Sequence, residues 1–179
     1  PTVRYPFKNQ WSEFLAEATV LHTQYIQENI QNLAFQKNVT RTLGQAKVYG
    51  SLAFERPVNW FGAQAIQTFE PKVQYLYTSF QDQNNIGLYD TTRLFNNFSG
   101  LFRGQEFTGL DRISDNNQIT VGMTSRFIDE NNQERFKLSL GQIFYLKNNQ
   151  LVDASKDDDR SALAAELDWK IGSKWYVHT

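Results

Sequence analysis

Ile119-Thr120-Val121-Gly122-Met123-Thr124-Ser125-Arg126-Phe127 alternates residue by residue. Ile119, Val121, Met123 and Phe127 share one parity with Ser125, and Thr120, Gly122, Thr124 and Arg126 share the other. A period of two places successive side chains on opposite faces of a β-strand. After the polar stretch Asp129-Glu130-Asn131-Asn132-Gln133 the pattern resumes, with Phe136, Leu138, Leu140, Phe144 and Leu146 set against Lys137, Ser139 and Gly141. These are two strands, apolar on one face and polar on the other, joined by a short connection.

The same pattern extends both ways. Leu163, Ala165, Leu167, Trp169 and Ile171 alternate with Ala164, Glu166, Asp168 and Lys170. Phe69, Pro71, Val73, Tyr75 and Tyr77 alternate with Glu70, Lys72, Gln74, Leu76 and Thr78. Val48, Leu52 and Phe54 alternate with Lys47, Ser51 and Glu55. The segment from Trp11 to Tyr25 fits two periods, because Trp11, Phe14, Leu15, Ala18 and Leu21 also form a helical stripe. Its length and its aromatic ends assign it to a strand. Eight strand segments result, at roughly 1–7, 11–27, 43–57, 63–79, 117–128, 134–147, 161–171 and 174–179.

The connections sort by length. Those at 8–10, 58–62, 129–133 and 172–173 are short, whereas those at 28–42, 80–116 and 148–160 are long. Tight turns on one side and long loops on the other, with aromatic residues near the strand ends, are the pattern of a transmembrane β-barrel. The expected fold is therefore all-β, an antiparallel transmembrane β-barrel sheet of about eight strands. The alternatives are a self-contained eight-stranded barrel with a structural or adhesion role, and a soluble β-rich binding domain.

Composition narrows the field. The chain has 179 residues, of which 40% are hydrophobic, with 14 Phe, 8 Tyr and 4 Trp. No run approaches the ~18–20 consecutive apolar residues of a membrane helix, a test that barrel strands escape. A net charge of −1 gives no basic footprint for nucleic acid. There is no cysteine, and His22 and His178 are the only histidines, so no cysteine metal site and no catalytic pair is proposed. Asp157-Asp158-Asp159 after Asp153 reads as a solvated acidic loop rather than a cation site. The chain starts without Met and stops within a strand-like run, so it reads as a piece of a longer polypeptide.

The 80–116 segment carries the strongest functional expectation. It is long, yet holds Leu88, Tyr89, Leu94, Phe95, Phe98, Leu101, Phe102, Phe107 and Leu110, which need somewhere to be buried. It is expected to fold inward over the lumen, with Arg103, Asp111 and Arg112 in buried or half-buried pairs; the alternative is an outer cap. The inner wall is expected to carry Glu70, Lys72, Gln74, Arg126, Lys137, Glu166, Asp168 and Lys170. The candidate lumen and loop contacts are Asp90, Arg103, Asp111 and Arg112 from the loop, with Glu70, Lys72, Arg126 and Lys137 from the wall.

The runs Gln67-Thr68-Phe69-Glu70-Pro71-Lys72-Val73-Gln74-Tyr75-Leu76-Tyr77, Tyr89-Asp90-Thr91-Thr92, Phe98-Ser99-Gly100-Leu101-Phe102-Arg103, Gly109-Leu110-Asp111-Arg112-Ile113 and Asn116 through Arg126 together resemble the LptD family of lipopolysaccharide-assembly proteins. Glu134 through Tyr145 continues the likeness, which covers nearly the whole chain. The resemblance implies that 1–179 is a partial outer-membrane β-barrel domain, the central part of a larger barrel of about two dozen strands. It further implies lipopolysaccharide as the substrate, an LptE-type plug lipoprotein in the lumen, and the outer membrane of a Gram-negative bacterium as the location. A periplasmic lipopolysaccharide-bridge protein would act through an N-terminal domain that this chain lacks. The family's paired cysteines and seam strands are also missing here. The resemblance implies no cofactor, and it makes the Asn38-Val39-Thr40 and Asn97-Phe98-Ser99 glycosylation patterns chance matches.

Overall fold

Each β-strand of this chain finds its backbone partners in a neighbour, and the result is one antiparallel sheet. The computed structural model describes residues 1–28, 36–94, 97–147, 159–172 and 174–179. The strands are β1 (Thr2–Lys8), β2 (Ser12–Ile26), β3 (Asn38–Leu52), β4 (Phe54–Trp60), β5 (Ala63–Thr78), β6 (Asn116–Asp129), β7 (Glu134–Tyr145), β8 (Ala164–Ile171) and β9 (Trp175–His178). Their order in the sheet is β1-β2-β3-β5-β6-β7-β8-β9, with β4 paired to β5. The sheet is open, since β1 and β9 do not pair, so a barrel closed by this segment alone is not formed.

The expected segment at 43–57 is longer and is interrupted. It begins at Asn38, and Ala53 separates β3 from β4. Both strands keep one register against β5, from Ser51↔Lys72 to Phe54↔Phe69. The two residues skipped therefore stand opposite Glu70 and Pro71. Pro71 has no N–H to donate, so a break in the ladder beside it follows from its chemistry. The ambiguous Trp11–Tyr25 segment is a strand, paired with β3 from Ser12↔Leu52 to Ile26↔Asn38.

The short connections are tight for local reasons. Phe61 and Gly62 have φ of 48° and 85°, the positive values that a two-residue primed hairpin turn needs. Asn9 Oδ1 accepts the N–H groups of Trp11 and Ser12 at 2.9 and 2.7 Å, closing the β1–β2 turn. At the β6–β7 turn, Asn132 takes a φ of 59° and the register shifts by one residue after Phe127.

The register sorts the side chains onto two faces. One carries Val3, Tyr5, Phe7, Phe14, Val48, Val73, Val121, Met123, Leu138, Leu140 and Leu167. Nothing among the described residues packs across it, and Val73 and Val121 are 48% and 39% exposed. Near the short turns this face carries an aromatic row. Trp60 lies 3.9 Å from Phe127 and 5.6 Å from Phe136, and Phe136 lies 6.4 Å from Trp169 (ring centroids). Its charged exception among the described residues of that region is Arg56, whose guanidinium donates to Gln67 Oε1 at 2.9 and 2.7 Å. Toward the long loops the face turns polar at His22 and Thr42, hydrogen-bonded at 2.8 Å.

The opposite face is polar, and from β3 to β8 described residues of the 80–116 segment lie over it. A one-turn helix, α1 (Phe98–Leu101), is capped by Asn97, whose Oδ1 accepts the Gly100 N–H at 2.8 Å. It lies over Gly122 and Gly141, which face each other across β6 and β7. A Cβ on Gly122 would stand 2.8 Å from Phe102 Cζ, and one on Gly141 3.0 Å from Leu101 Cδ1 and Phe98 Cε2. The two glycines thus form the trough into which the segment's apolar side chains fit. Replacing Gly141 by Val in the full-length protein is expected to weaken this docking by about 1–3 kcal/mol. Limited proteolysis of the folded protein should show new cleavage within 80–116, and an unchanged cleavage pattern would contradict the trough.

Candidate functional site on the polar face

Alternation along β5–β8 brings all four wall candidates to the polar face. Arg126 Nη1 meets Glu70 Oε1 at 2.5 Å, and its Nε meets Glu134 Oε2 at 3.1 Å. Lys137 Nζ meets Asp168 Oδ2 at 3.1 Å. Asp168 Oδ1 also takes His178 Nδ1 at 2.6 Å and the Tyr176 hydroxyl at 2.5 Å. Arg126 pairs in register with Lys137, Lys137 with Asp168, and Asp168 with His178, so one row of polar and charged side chains crosses four strands. Partly exposed pairs of this kind contribute at most about 1 kcal/mol each; what they fix is the arrangement of charge. Lys170 Nζ reaches Gln133 Oε1 at 3.1 Å, and Glu166 Oε1 accepts the Phe98 N–H at 3.0 Å. Gln74 is buried at 1% exposure with its Nε2 unpartnered among the described residues. Lys72 makes no ion pair among the described residues, and its Nζ stands 5.2 Å from the Phe98 ring centroid and 5.9 Å from that of Phe102.

The loop candidates are placed differently from the expected ion pairs. Among the described residues no ion pair joins Arg103, Asp111 and Arg112 to one another. Asp111 Oδ2 instead accepts the backbone N–H groups of Tyr89 and Asp90 at 2.7 and 2.9 Å. Burial alone would raise the Asp111 carboxyl, but these hydrogen bonds outweigh it and hold the pKa below the ordinary carboxylate value. Arg112 donates to the carbonyls of Ile86 and Asp111 at 2.9 and 3.1 Å. Asp90 is exposed and takes part through its backbone. Arg103 is half-buried, and its guanidinium makes no ion pair among the described residues. The physical reason is that a folded loop presents many unpaired backbone groups, which meet buried side chains more readily than another long charged side chain does.

The residues that fasten the segment escaped the sequence reading. Arg41, in β3, is 2% exposed. Its Nη1 donates to Gln83 Oε1 at 2.5 Å and to the Asp111 carbonyl at 3.2 Å, and its Nη2 to the Leu110 carbonyl and, at 3.3 Å, to the Tyr25 hydroxyl. The Tyr25 hydroxyl itself donates to the Leu110 carbonyl at 2.6 Å. Gln83, 1% exposed, also bonds the Ile113 carbonyl and N–H at 2.8 and 3.0 Å. Gln27 accepts the Gly87 N–H and the Tyr89 hydroxyl at 2.8 and 2.7 Å. The available signal was the alternation of Val39, Arg41 and Leu43 with Thr40 and Thr42, which extends β3 four residues and more beyond its expected start. The acidic run at Asp153, Asp157 and Asp158 lies outside the described residues.

An open antiparallel sheet with one apolar face, rimmed by aromatic rings, and one polar, ion-paired face defines a segment of β-barrel type. Comparison with known proteins is consistent with that class. A family model described as "LptD: LPS transport system D" matches residues 1–179, and the chain belongs to that family. It is 66% identical over its whole length to the LPS-assembly protein LptD of Pseudoalteromonas atlantica. It is 43% identical over 99% of its length to that of Pseudoalteromonas translucida, and 40% identical over 99% to that of Shewanella frigidimarina. The chain spans 24% of the length of each of these relatives.

Arg41 is the side chain on which the segment's anchorage converges. Arg41→Ala in the full-length protein is expected to cost about 1.5–3 kcal/mol for each charged hydrogen bond lost without replacement. Hydrogen exchange should then quicken at Ile113 and around Gln83 and leave β6 and β7 unchanged; unchanged protection at Ile113 would contradict the assignment.

Proposed function

We propose that this chain is a section of the wall of an outer-membrane β-barrel that assembles lipopolysaccharide into the outer leaflet of a Gram-negative bacterium. One observation carries the reading: the sheet has an uncovered apolar face with aromatic rims and a polar face that holds its charges and its longest connection. Along β6, the steps from Phe127 to Ile119 at ~3.4 Å each cover ~27 Å, which at a tilt of ~40° projects to ~21 Å, near the ~25 Å apolar band of such barrels. Membership of a family described as an LPS transport system supports lipopolysaccharide as the substrate class. On this reading the polar face and the 80–116 segment look into the lumen, where a plug lipoprotein packs. The periplasmic bridge engages parts of the polypeptide other than this one. The wall moves no electrons and breaks no bond; its work is to separate hydrocarbon from a wet, charged passage.

Ala18 and Thr19 are adjacent and face opposite sides of β2, which makes them a matched pair for testing this. In the full-length protein, Ala18→Arg is expected to cost about 2–4 kcal/mol by placing a charge against hydrocarbon, whereas Thr19→Arg is expected to be tolerated. Heat-modifiable gel mobility and surface lipopolysaccharide should fall for the first and hold for the second. Equal tolerance of both would contradict the reading.

A further inference from the structure

Lys72 is a half-buried cation whose neighbouring carboxylates are already engaged. Glu70 is held by Arg126 at 2.5 Å, Glu13 by Lys8 at 3.8 Å, and Glu17 by Arg4. Two more cations on the same face, Lys47 and Arg103, also make no ion pair among the described residues. Lys47 lies two positions before Tyr49 on β3, and Arg103 follows Phe102, whose ring meets that of Tyr49 edge-on at 6.2 Å. Lys72, Lys47 and Arg103 thus stand outside ion pairs among the described residues, with Glu70 and Glu13 near Lys72 but beyond ion-pair distance.

Beside Lys72 opens a cavity of about 260 Å³. Ser12, Ser51 and Tyr49 line it with hydroxyls, Gln10 and Trp11 stand at its rim in the β1–β2 turn, and Trp11 is 59% exposed. Lys8, Glu13 and Glu70 also line it. A cation with hydroxyl donors suits the oxygens of a phosphate ester, and an exposed indole suits the apolar face of a sugar ring. The volume accommodates one phosphorylated sugar unit rather than a lipid chain.

We propose that this cavity is a binding site for a phosphorylated saccharide, with Lys72 as the residue that meets the phosphate. The proposal rests on the reading of the polar face as the side that lipopolysaccharide encounters, and it names where on that face the phosphate is recognised. The Phe98 and Phe102 rings hold the Lys72 ammonium in place without neutralising it, so its charge stays available to a ligand.

The test uses the full-length protein, purified with its partners in detergent, carrying photoreactive benzoylphenylalanine in place of Gln10. Illumination with lipopolysaccharide is expected to give a cross-linked product. Lys72→Met, which keeps a long side chain against the two rings, is expected to lower its yield about tenfold or more, and Lys72→Arg to retain it. Ser51→Asp, which leaves the ring contacts alone, is expected to lower the yield comparably, as is phosphatase treatment of the lipopolysaccharide. Unchanged cross-linking in both Lys72→Met and Ser51→Asp would overturn the proposal, as would equal cross-linking of the dephosphorylated lipid. Displacement by millimolar inorganic phosphate would reduce the site to a simple anion site and overturn its saccharide part. Loss of this cross-link with the Ala18 and Thr19 contrast intact removes only the site; loss of that contrast removes the wall itself.

Discussion

Hydrocarbon offers no hydrogen-bond partner, so a strand that meets it must satisfy every backbone group within its own sheet and turn its polar side chains the other way. The rest of this structure follows from that constraint. The long β2–β3 and β5–β6 ladders leave few strand groups unpaired. Arg4, Glu13, Glu17, Lys47, Glu70, Lys72, Arg126, Lys137, Glu166 and Asp168 all fall on one parity of their strands. Arg56 is an exception, and it sits near the short turns in the zone of the aromatic row. There a long basic side chain can reach the polar boundary while its stem stays against the rings.

A polar face crowded with charge creates a second problem, which is how to seat a loop rich in leucine and phenylalanine upon it. Gly122 and Gly141 answer it by removing side chains at one point of the wall, so that Phe98, Leu101 and Phe102 rest against bare backbone. The Thr120 hydroxyl donates to the Leu101 carbonyl at 3.3 Å, and the Thr124 and Ser139 hydroxyls bond each other at 3.1 Å, leaving these buried polar groups satisfied. At the far end, Arg41, Gln83 and Gln27 saturate the backbone of the segment where it leaves and rejoins the sheet. Lys72 stands against two rings and outside any ion pair among the described residues, which is why the proposed saccharide site centres there.

The strands and their faces were legible because a period of two survives any error of a few residues at the ends. The side of the wall charges was legible for the same reason: Glu70, Lys72, Arg126 and Lys137 each sit on the polar alternate of their own strand, and the registers bring those alternates to one face. The break at Ala53 was not, since it arises from Pro71 on the neighbouring strand, and pairing partners are not written in a single sequence. Arg41 is not legible in this way, because it precedes residue 43, where the expected strand begins, whereas β3 begins at Asn38. Among the described residues the expected ion pairs of Arg103, Asp111 and Arg112 are absent for a related reason. Loop backbone groups, invisible as sequence features, compete for buried side chains and win by proximity.

The central claim is that one parity of these strands faces hydrocarbon. Spin labels placed singly from Ile119 to Phe127 in the full-length protein, reconstituted in a bilayer, test it most directly through collision with oxygen and with a water-soluble nickel reagent. Oxygen accessibility should peak at Ile119, Val121, Met123, Ser125 and Phe127 and fall at each residue between them. Labels at those same odd positions that are shielded from both reagents would mean that a protein layer seals the face, and would contradict the account.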